Sequence, residues 1–446
     1  MLSKLKIILI TALIGNAAFA QNLSTKDKLN IISHYNMTIA KQQWDSTTAY
    51  YDSKMSSFLP PSKMESLWEQ LIAYYGDYSH YETTDTASKK GILNFLTKFH
   101  FKRGSLMEQI SFNDTGQITS LWFAPLEFKS GYTEPTYANK KMYYETDIDV
   151  VTGDYKMKGK LTVPSNAKNS PAIILAWGSG PNGMNEEIGG CMPFKDLAEG
   201  LASQGIAVLR FDKRTYKHSM DINPKGKPTI DDEYTYDIAS ALKLLKTKKY
   251  IDAKNIYLLG HSEGGMLLPY LLKNIKGFAG GISMAGAARP LGVLIQEQMD
   301  YLAPDSILKS DAEKLMKEKA VTQAKLSLSD TLKDNTDGDL LPMGFPGSYW
   351  IHLNKINPAV LASKIKKPIL FLQGESDYQV RMDDYNLFRQ YNKSNNHFFK
   401  SYPRLNHLFV EGATEALSKA ADYFKPGNIY EPVIMDIAKF VKTKSL

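Results

Sequence analysis

Cysteine occurs once in the 446 residues, at Cys191. A single thiol excludes an intramolecular disulfide, so every folded core in this chain must hold by packing alone. No Cys-His signature surrounds Cys191, which reads as a small packing residue rather than a nucleophile. His34, His80 and His100 fall in no metal-ligand spacing and read as surface or core histidines. After the amino terminus no long apolar run exists, so no membrane-spanning helix is expected in the mature chain. Charge of one sign is also scarce in excess: the net charge of +7 falls to +5 when Lys4 and Lys6 leave with a leader. So mild and scattered a balance gives no footprint for nucleic acid. Internal repeats and low-complexity segments are missing too.

What is present is an ordinary globular composition, 43% hydrophobic and 23% charged, over a length that suits two domains. Met1-Leu2-Ser3-Lys4-Leu5-Lys6 is a short basic start, and Ile7 to Ala20 runs apolar before ending Ala18-Phe19-Ala20. Small residues at −3 and −1 before Gln21 mark a secretory signal peptide, residues 1–20, so the mature chain is expected to be secreted or periplasmic. From Ser24 to Trp44, Leu29, Ile32 and Ile39 recur at helical spacing. Ser62-Lys63-Met64-Glu65 reads as a capping box opening a second helix with Leu67, Leu71 and Tyr74 as its stripe and Gly76 as its stop. The period then shifts towards two, predicting strands over Tyr78–Thr84, Ile92–Phe101, Leu106–Phe112 and Gln117–Ala124, with a turn at Asn113–Gly116. Residues 22–128 are therefore expected to form a small α+β, cone-shaped domain.

Glu127 to Asn139 is the expected linker into a second domain, 137–446. A hairpin turns about Thr152-Gly153-Asp154. Short, almost wholly apolar strands follow: Ala172–Trp177, Ile206–Phe211, Ile256–Leu259, Gly281–Met284 and Pro368–Leu372. Strands apolar on both faces belong in a parallel sheet covered by helices on each side. Helical stripes lie between and after them, at Phe194, Leu197 and Leu201, at Ile238, Leu242 and Leu245, and at Val433, Ile437 and Phe440. The alternation predicts a doubly wound, mostly parallel α/β fold with its site at the carboxyl ends of strands. Residues 289–364 interrupt it with a charged, partly helical insertion containing Phe345-Pro346-Gly347-Ser348-Tyr349-Trp350, expected to be a lid.

The chemistry centres on Gly260-His261-Ser262-Glu263-Gly264-Gly265, which lies between an apolar strand and an apolar helix. A Gly-x-Ser-x-Gly turn lifts the serine hydroxyl above the sheet and places the next N–H at a helix start. Serine needs a base, and the base needs an acceptor on its other nitrogen. In this architecture the partners follow in the order serine, acid, histidine. Asp377 stands on the loop after Pro368–Leu372, with Glu375 as the alternative acid. His407 follows the next strand, His397–Tyr402. His261, within the turn, points elsewhere, and His218 and His352 fall out of order. For the oxyanion hole, one donor is expected from the Glu263 N–H and the other from Ser179 in Gly178-Ser179-Gly180-Pro181, with Gly180 as alternative.

These segments, with Phe211-Asp212-Lys213-Arg214, Ala285-Gly286-Ala287-Ala288-Arg289-Pro290, Gln373–Val380 and Leu405–Phe409, resemble the α/β-hydrolase superfamily. Within it they resemble bacterial exported serine esterases of the Est10-like group. The amino-terminal segment ending Leu121-Trp122-Phe123-Ala124-Pro125 looks like the domain of unknown function DUF3887, NTF2-like in shape, which implies no chemistry. The resemblance implies a carboxylesterase with Ser262, Asp377 and His407 as catalytic triad, a small-molecule ester as substrate, and no metal or organic cofactor. Two departures stand out: Trp177-Gly178 where the family usually has His-Gly, and Asn182–Glu187 where relatives carry an Asp-Arg-Asp pattern. The tryptophan is expected to alter pocket shape rather than abolish catalysis. The rival readings are a peptidase or thioesterase on the same triad, with Glu186 and Glu187 available to a charged substrate terminus, and a catalytically inactive binding protein.

Overall fold

The computed structural model describes residues 23–446 except 90–91, 129–130, 219–221, 223–225, 308–310, 413 and 415. The expected leader, residues 1–20, lies outside the described residues. The chain divides into two compact units. One comprises Tyr132–Pro304 and Lys317–Leu446, and the other comprises the described residues up to Gly131 with Asp305–Met316.

The amino-terminal unit opens with four helices: α1 (Thr25–Ala40), α2 (Trp44–Thr47), α3 (Ser53–Phe58) and α4 (Pro61–Tyr75). Its five antiparallel strands are β1 (Tyr78–Tyr81), β2 (Asp85–Lys89), β3 (Ile92–Phe101), β4 (Gly104–Phe112) and β5 (Ile118–Phe128). Both β1 and β2 pair with β3. β2 escaped the sequence reading because its residues are polar and small, with no apolar alternation for an edge strand to show. Ile32 and Ile39 of α1 are buried as their spacing predicts. In α4 the deepest residues are Met64, Trp68 and Leu71, which pack with Phe95, Phe99 and Leu106. The expected stripe residue Leu67 is only partly buried, and the Tyr74 side chain lies outside the described ones. The capping box expected at Ser62–Glu65 does not form. Pro60 is the N-cap and Pro61 the first helical residue, a position where proline's missing N–H costs nothing. A capping box does form earlier in the chain, where Ser24 and Asp27 exchange bonds at the start of α1.

The second unit carries an eight-stranded sheet: β6 (Tyr143–Thr152), β7 (Tyr155–Pro164), β8 (Ser170–Ala176), β9 (Ala207–Phe211), β10 (Ile251–His261), β11 (Gly280–Met284), β12 (Ile369–Gly374) and β13 (His397–Tyr402). The spatial order is β6-β7-β9-β8-β10-β11-β12-β13. β6 and β7 form the expected hairpin, β7 meets β9 antiparallel, and every later pairing is parallel. Every residue of β9, β11 and β12 is buried, because helices cover both faces. The helices of this part of the chain are α5 (Pro193–Ser203), α6 (Arg214–His218), α7 (Tyr236–Lys246) and α8 (Glu263–Asn274), then α9 (Leu291–Leu302), α10 (Asp311–Ser327, whose start belongs to the amino-terminal unit), α11 (Gly347–Asn354) and α12 (Pro358–Ala362), and finally α13 (Met382–Tyr391) and α14 (Glu431–Thr443). Each predicted stripe on α5, α7 and α14 is buried in the same core, at about 1.5–3 kcal/mol of transfer free energy per large apolar side chain.

Residues 289–364, expected to be a lid, lie between β11 and β12, and Leu291, Leu294, Ile295, Gln298 and Met343 from them line the cavity beside Ser262. Asp305–Met316 belongs to the amino-terminal unit, while Phe345, Tyr349 and Trp350 are buried core residues of the other. Aromatic residues on α11 are thus used for packing.

Candidate active site

β10 ends at His261 and α8 begins at Glu263, leaving Ser262 alone to make the turn, with φ 55° and ψ −116°. That left-handed backbone is strained for any residue with a Cβ, and it is held from both sides. The Ser262 N–H donates to Met284 O at 2.9 Å, and its carbonyl accepts from Met266 N at 2.9 Å to start α8. The flanking glycines are required by contact. A Cβ on Gly260 would lie 2.1 Å from Gly264 O, and one on Gly264 would lie 2.5 Å from Ala176 O. Ser262, Glu263 and Ser179 line one cavity of about 20 Å³, opposite Leu291, Leu294 and Ile295 of α9. As first residue of α8, Glu263 has an N–H with no intrahelical acceptor. Gly180, the alternative donor, is not among the cavity-lining residues.

Asp377 and His407 meet. His407 Nδ1 lies 2.6 Å from Asp377 Oδ2, and both side chains are buried. Asp377 Oδ1 accepts from the backbone of Gln379 at 2.7 Å and Val380 at 3.1 Å, which fixes the carboxylate. With Nδ1–H donating to the carboxylate, Nε2 carries the lone pair that a general base needs. Burial lowers the His407 pKa below the ordinary imidazole value, and the Asp377 charge only partly opposes it, so the ring is neutral at pH 7. Glu375, the alternative acid, is exposed and bonds Ser401 Oγ.

No hydrogen bond joins Ser262 Oγ to His407 among the described residues. The two segments are tied through His261, whose Nε2 donates to His407 O at 2.8 Å with the ring centroids 4.7 Å apart. Catalytic hydrogen bonds are often long until substrate arrives. His261 is the opposite case to its neighbour. Burial, the largest single influence, depresses it, but the Glu186 carboxylate, 2.9 Å from Nδ1, together with the His407 carbonyl and the Asp377 charge raises its pKa.

Glu186 is a residue whose role the sequence hid. It is 2% exposed, and its Oε1 accepts the Gly178 N–H at 2.6 Å while Oε2 pairs with His261. Of the two carboxylates offered to a charged substrate terminus, Glu186 is therefore taken up inside the protein, while Glu187 is exposed.

Below the same loop lies a second group that sequence reasoning missed: Lys213, Glu233, Tyr234 and Tyr349, all fully buried, with the Glu263 carboxyl. Lys213 Nζ reaches Gly178 O at 2.9 Å, Tyr234 OH at 2.8 Å and Glu233 Oε1 at 3.0 Å, three acceptors for three ammonium protons. Tyr234 OH donates to Glu263 Oε2 at 3.0 Å, and Tyr349 OH lies between Glu263 Oε1 and Glu233 Oε2. Burial raises the Glu263 pKa, with Lys213 opposing and Glu233 reinforcing. Glu233 and Tyr234 stand on a π-helical turn, Asp231–Thr235, just before α7, the kind of irregular turn frequent at functional sites. The signal in the sequence was Lys213 itself, a charge placed just after a buried strand whose residues other than Arg210 are apolar.

Trp177 is fully buried, with Nε1 bonded to Phe211 O at 2.7 Å and its ring edge-on to Phe211. It does not line the cavity. Cys191 is buried in a small cluster with Tyr378, Leu408 and Tyr423. Among the described residues no group of histidine, cysteine and carboxylate side chains could hold a metal ion, and no helix is long and apolar enough to cross a membrane.

Comparison with known proteins adds the lineage. Residues 181–412 match the family model described as serine aminopeptidase, S33, and residues 30–121 match DUF3887, a protein family of unknown function. The chain is 30% identical over 408 residues to esterase EstD of Thermotoga maritima, covering 90% of this chain and 92% of that one. Among solved structures it is similar to Est1E from Butyrivibrio proteoclasticus (18% identical, 67% of this chain, 98% of that one, TM-score 0.43). It is also similar to the Pyrococcus furiosus esterase Pf2001 (18%, 70% and 97%, TM-score 0.42). A family match over more than half the residues, joined to a relative of that extent, shows the descent: the chain belongs to the serine aminopeptidase S33 family of α/β-hydrolases, serine hydrolases by chemistry, here carried behind a domain of the DUF3887 type.

Proposed function

We propose that this protein is an exported carboxylesterase acting through Ser262, His407 and Asp377. Ser262 Oγ attacks the ester carbonyl carbon as its proton passes to His407 Nε2. The N–H groups of Ser179 and Glu263 hold the oxyanion of the tetrahedral intermediate. Its collapse expels the alkoxide, which takes the proton from His407 and leaves as alcohol. Water then repeats the sequence on the acyl-enzyme, releasing the acid and restoring Ser262. Asp377 holds the imidazole in the tautomer this requires and stabilises the imidazolium. The reading is carried by the His407–Asp377 pair at 2.6 Å, standing on strand ends next to the elbow that bears Ser262. The esterase relative at 30% identity supports the substrate class.

Hydrolysis of p-nitrophenyl acetate and butyrate by the mature chain tests it, together with active-site labelling by a fluorophosphonate. Ser262→Ala is expected to lose labelling and to lower kcat by about 10⁴-fold or more. Ester turnover by Ser262→Ala at the wild-type rate would remove the assignment. Cleavage after Ala20 is read by amino-terminal sequencing of protein recovered from the exporting host's periplasm or medium. A second reading, peptide cleavage, draws support from the S33 family description. Faster release from aminoacyl p-nitroanilides than from esters would favour it.

A further inference from the structure

The two peptide units that flank the Gly178 Cα are gripped by buried groups of opposite charge. On the amino side, the Gly178 N–H donates to Glu186 Oε1 at 2.6 Å. On the carboxyl side, Gly178 O accepts from Lys213 Nζ at 2.9 Å and from Asn182 Nδ2 at 3.1 Å. That carbonyl shares its peptide plane with the Ser179 N–H. The described chain has no cis peptide bond, so the N–H points away from the carbonyl and its ammonium partner. The loop passes so close to the nucleophile that a Cβ on Gly178 would lie 3.2 Å from Ser262 Cβ.

We propose that Lys213 is a positioning residue for the oxyanion hole: by holding Gly178 O from below, it aims and polarises the Ser179 N–H above. This rests on the esterase reading and deepens it. A carbonyl bound by a cation withdraws electron density from its own amide nitrogen, which strengthens the N–H as a donor. It also fixes the dipole before charge develops, the condition under which an oxyanion donor is most effective. Glu233 compensates the lysine charge and is held in turn by Tyr349 and Thr215. The same cluster holds the Glu263 side chain, so one buried assembly braces both proposed donors. Lys213 touches no substrate; it acts through the backbone.

The test is kcat per active site, with active sites counted by fluorophosphonate titration so that misfolded molecules drop out. The double variant Lys213→Met/Glu233→Gln removes the cation without stranding its carboxylate partner. It is expected to lower kcat about 10–100-fold with KM within about twofold. Affinity for an aryl trifluoromethyl ketone, whose hemiketal oxyanion needs the hole, should fall by a similar factor. Should the double variant fail to fold, Lys213→Gln/Glu233→Gln, which keeps polar groups at both positions, decides, with a fall in kcat of about three- to tenfold at unchanged KM. Wild-type kcat per titrated site with undiminished ketone affinity in the variant overturns the proposal and leaves the esterase reading standing. A wild-type protein that neither labels nor turns over esters removes the esterase reading and this proposal with it.

Discussion

Two imidazoles in contact, His261 and His407, face opposite demands, and their surroundings separate them. His261 lies against the Glu186 carboxylate and favours its charged form, while His407, buried and paired with Asp377, is held below the ordinary value of 6.5. A charged neighbour makes a second charge costlier, so the pairing of His261 with Glu186 helps keep His407 available as a base. Since the base must be neutral in free enzyme, kcat/KM should fall on the acid side with an apparent pKa below 6.5. A pH profile of p-nitrophenyl acetate hydrolysis across the acid and neutral range checks this, and a midpoint above the ordinary histidine value would contradict it. Asp377→Asn should lower kcat by about 10⁴-fold with little change in KM, because the imidazole then favours the wrong tautomer. Asp377 and His407 were legible because each follows a recognisable strand. Glu186 was not: in sequence it is one of two adjacent glutamates in a polar loop, and only the fold turns one inward.

The strand, turn and helix around Ser262 show how an element depends on residues that carry no chemistry. Gly260 and Gly264 are required by backbone atoms that cannot give way, so Gly260→Ala should cost more than about 3 kcal/mol or prevent folding. Gly153 in the β6–β7 hairpin offers the contrast, with φ +56° and no atom within 4 Å of the place a Cβ would take. Gly153→Ala should cost only about 1–2 kcal/mol, the strain of a left-handed residue. Urea denaturation of both variants against wild type measures the difference. Apolar strands and striped helices were readable because their periodicity is local. The start of α4 was misplaced because a serine and a glutamate three apart are also ordinary residues of a first turn, and Pro61 decided where that turn began.

At the scale of the molecule, each unit has its own hydrophobic core, and the amino-terminal one contains a carboxyl that the hydrolase chemistry does not use. Glu108 on β4 is completely buried beside Asn36 and Thr97, and burial raises its pKa from 4.5 to about 8. The folded state therefore keeps a proton that the unfolded chain releases above its ordinary value. Stability from this group is fully present below about pH 4.5 and is lost as pH rises to about 8, with a slope of at most about 1.4 kcal/mol per pH unit. Glu108→Gln should flatten that dependence. Hydrogen exchange of β4 peptides in the full chain, compared at about pH 5 and about pH 8 after correction for intrinsic rates, reads it. An unchanged slope in the variant would show that Glu108 does not hold the proton.

The amino-acid order alone determined the class of fold, the serine elbow and the succession of acid and histidine, since each is written in short-range patterning: apolar runs, glycine spacing, the residue just past a strand. Tertiary structure alone decided that Gly178, Glu186, Lys213, Glu233, Glu263 and Tyr349 share one buried assembly. Charged side chains read as surface in any linear pattern, because desolvating a charge is unfavourable until its partner is at hand. The partners here come from loops and helix starts far apart along the chain, and only the assembled sheet brings them together.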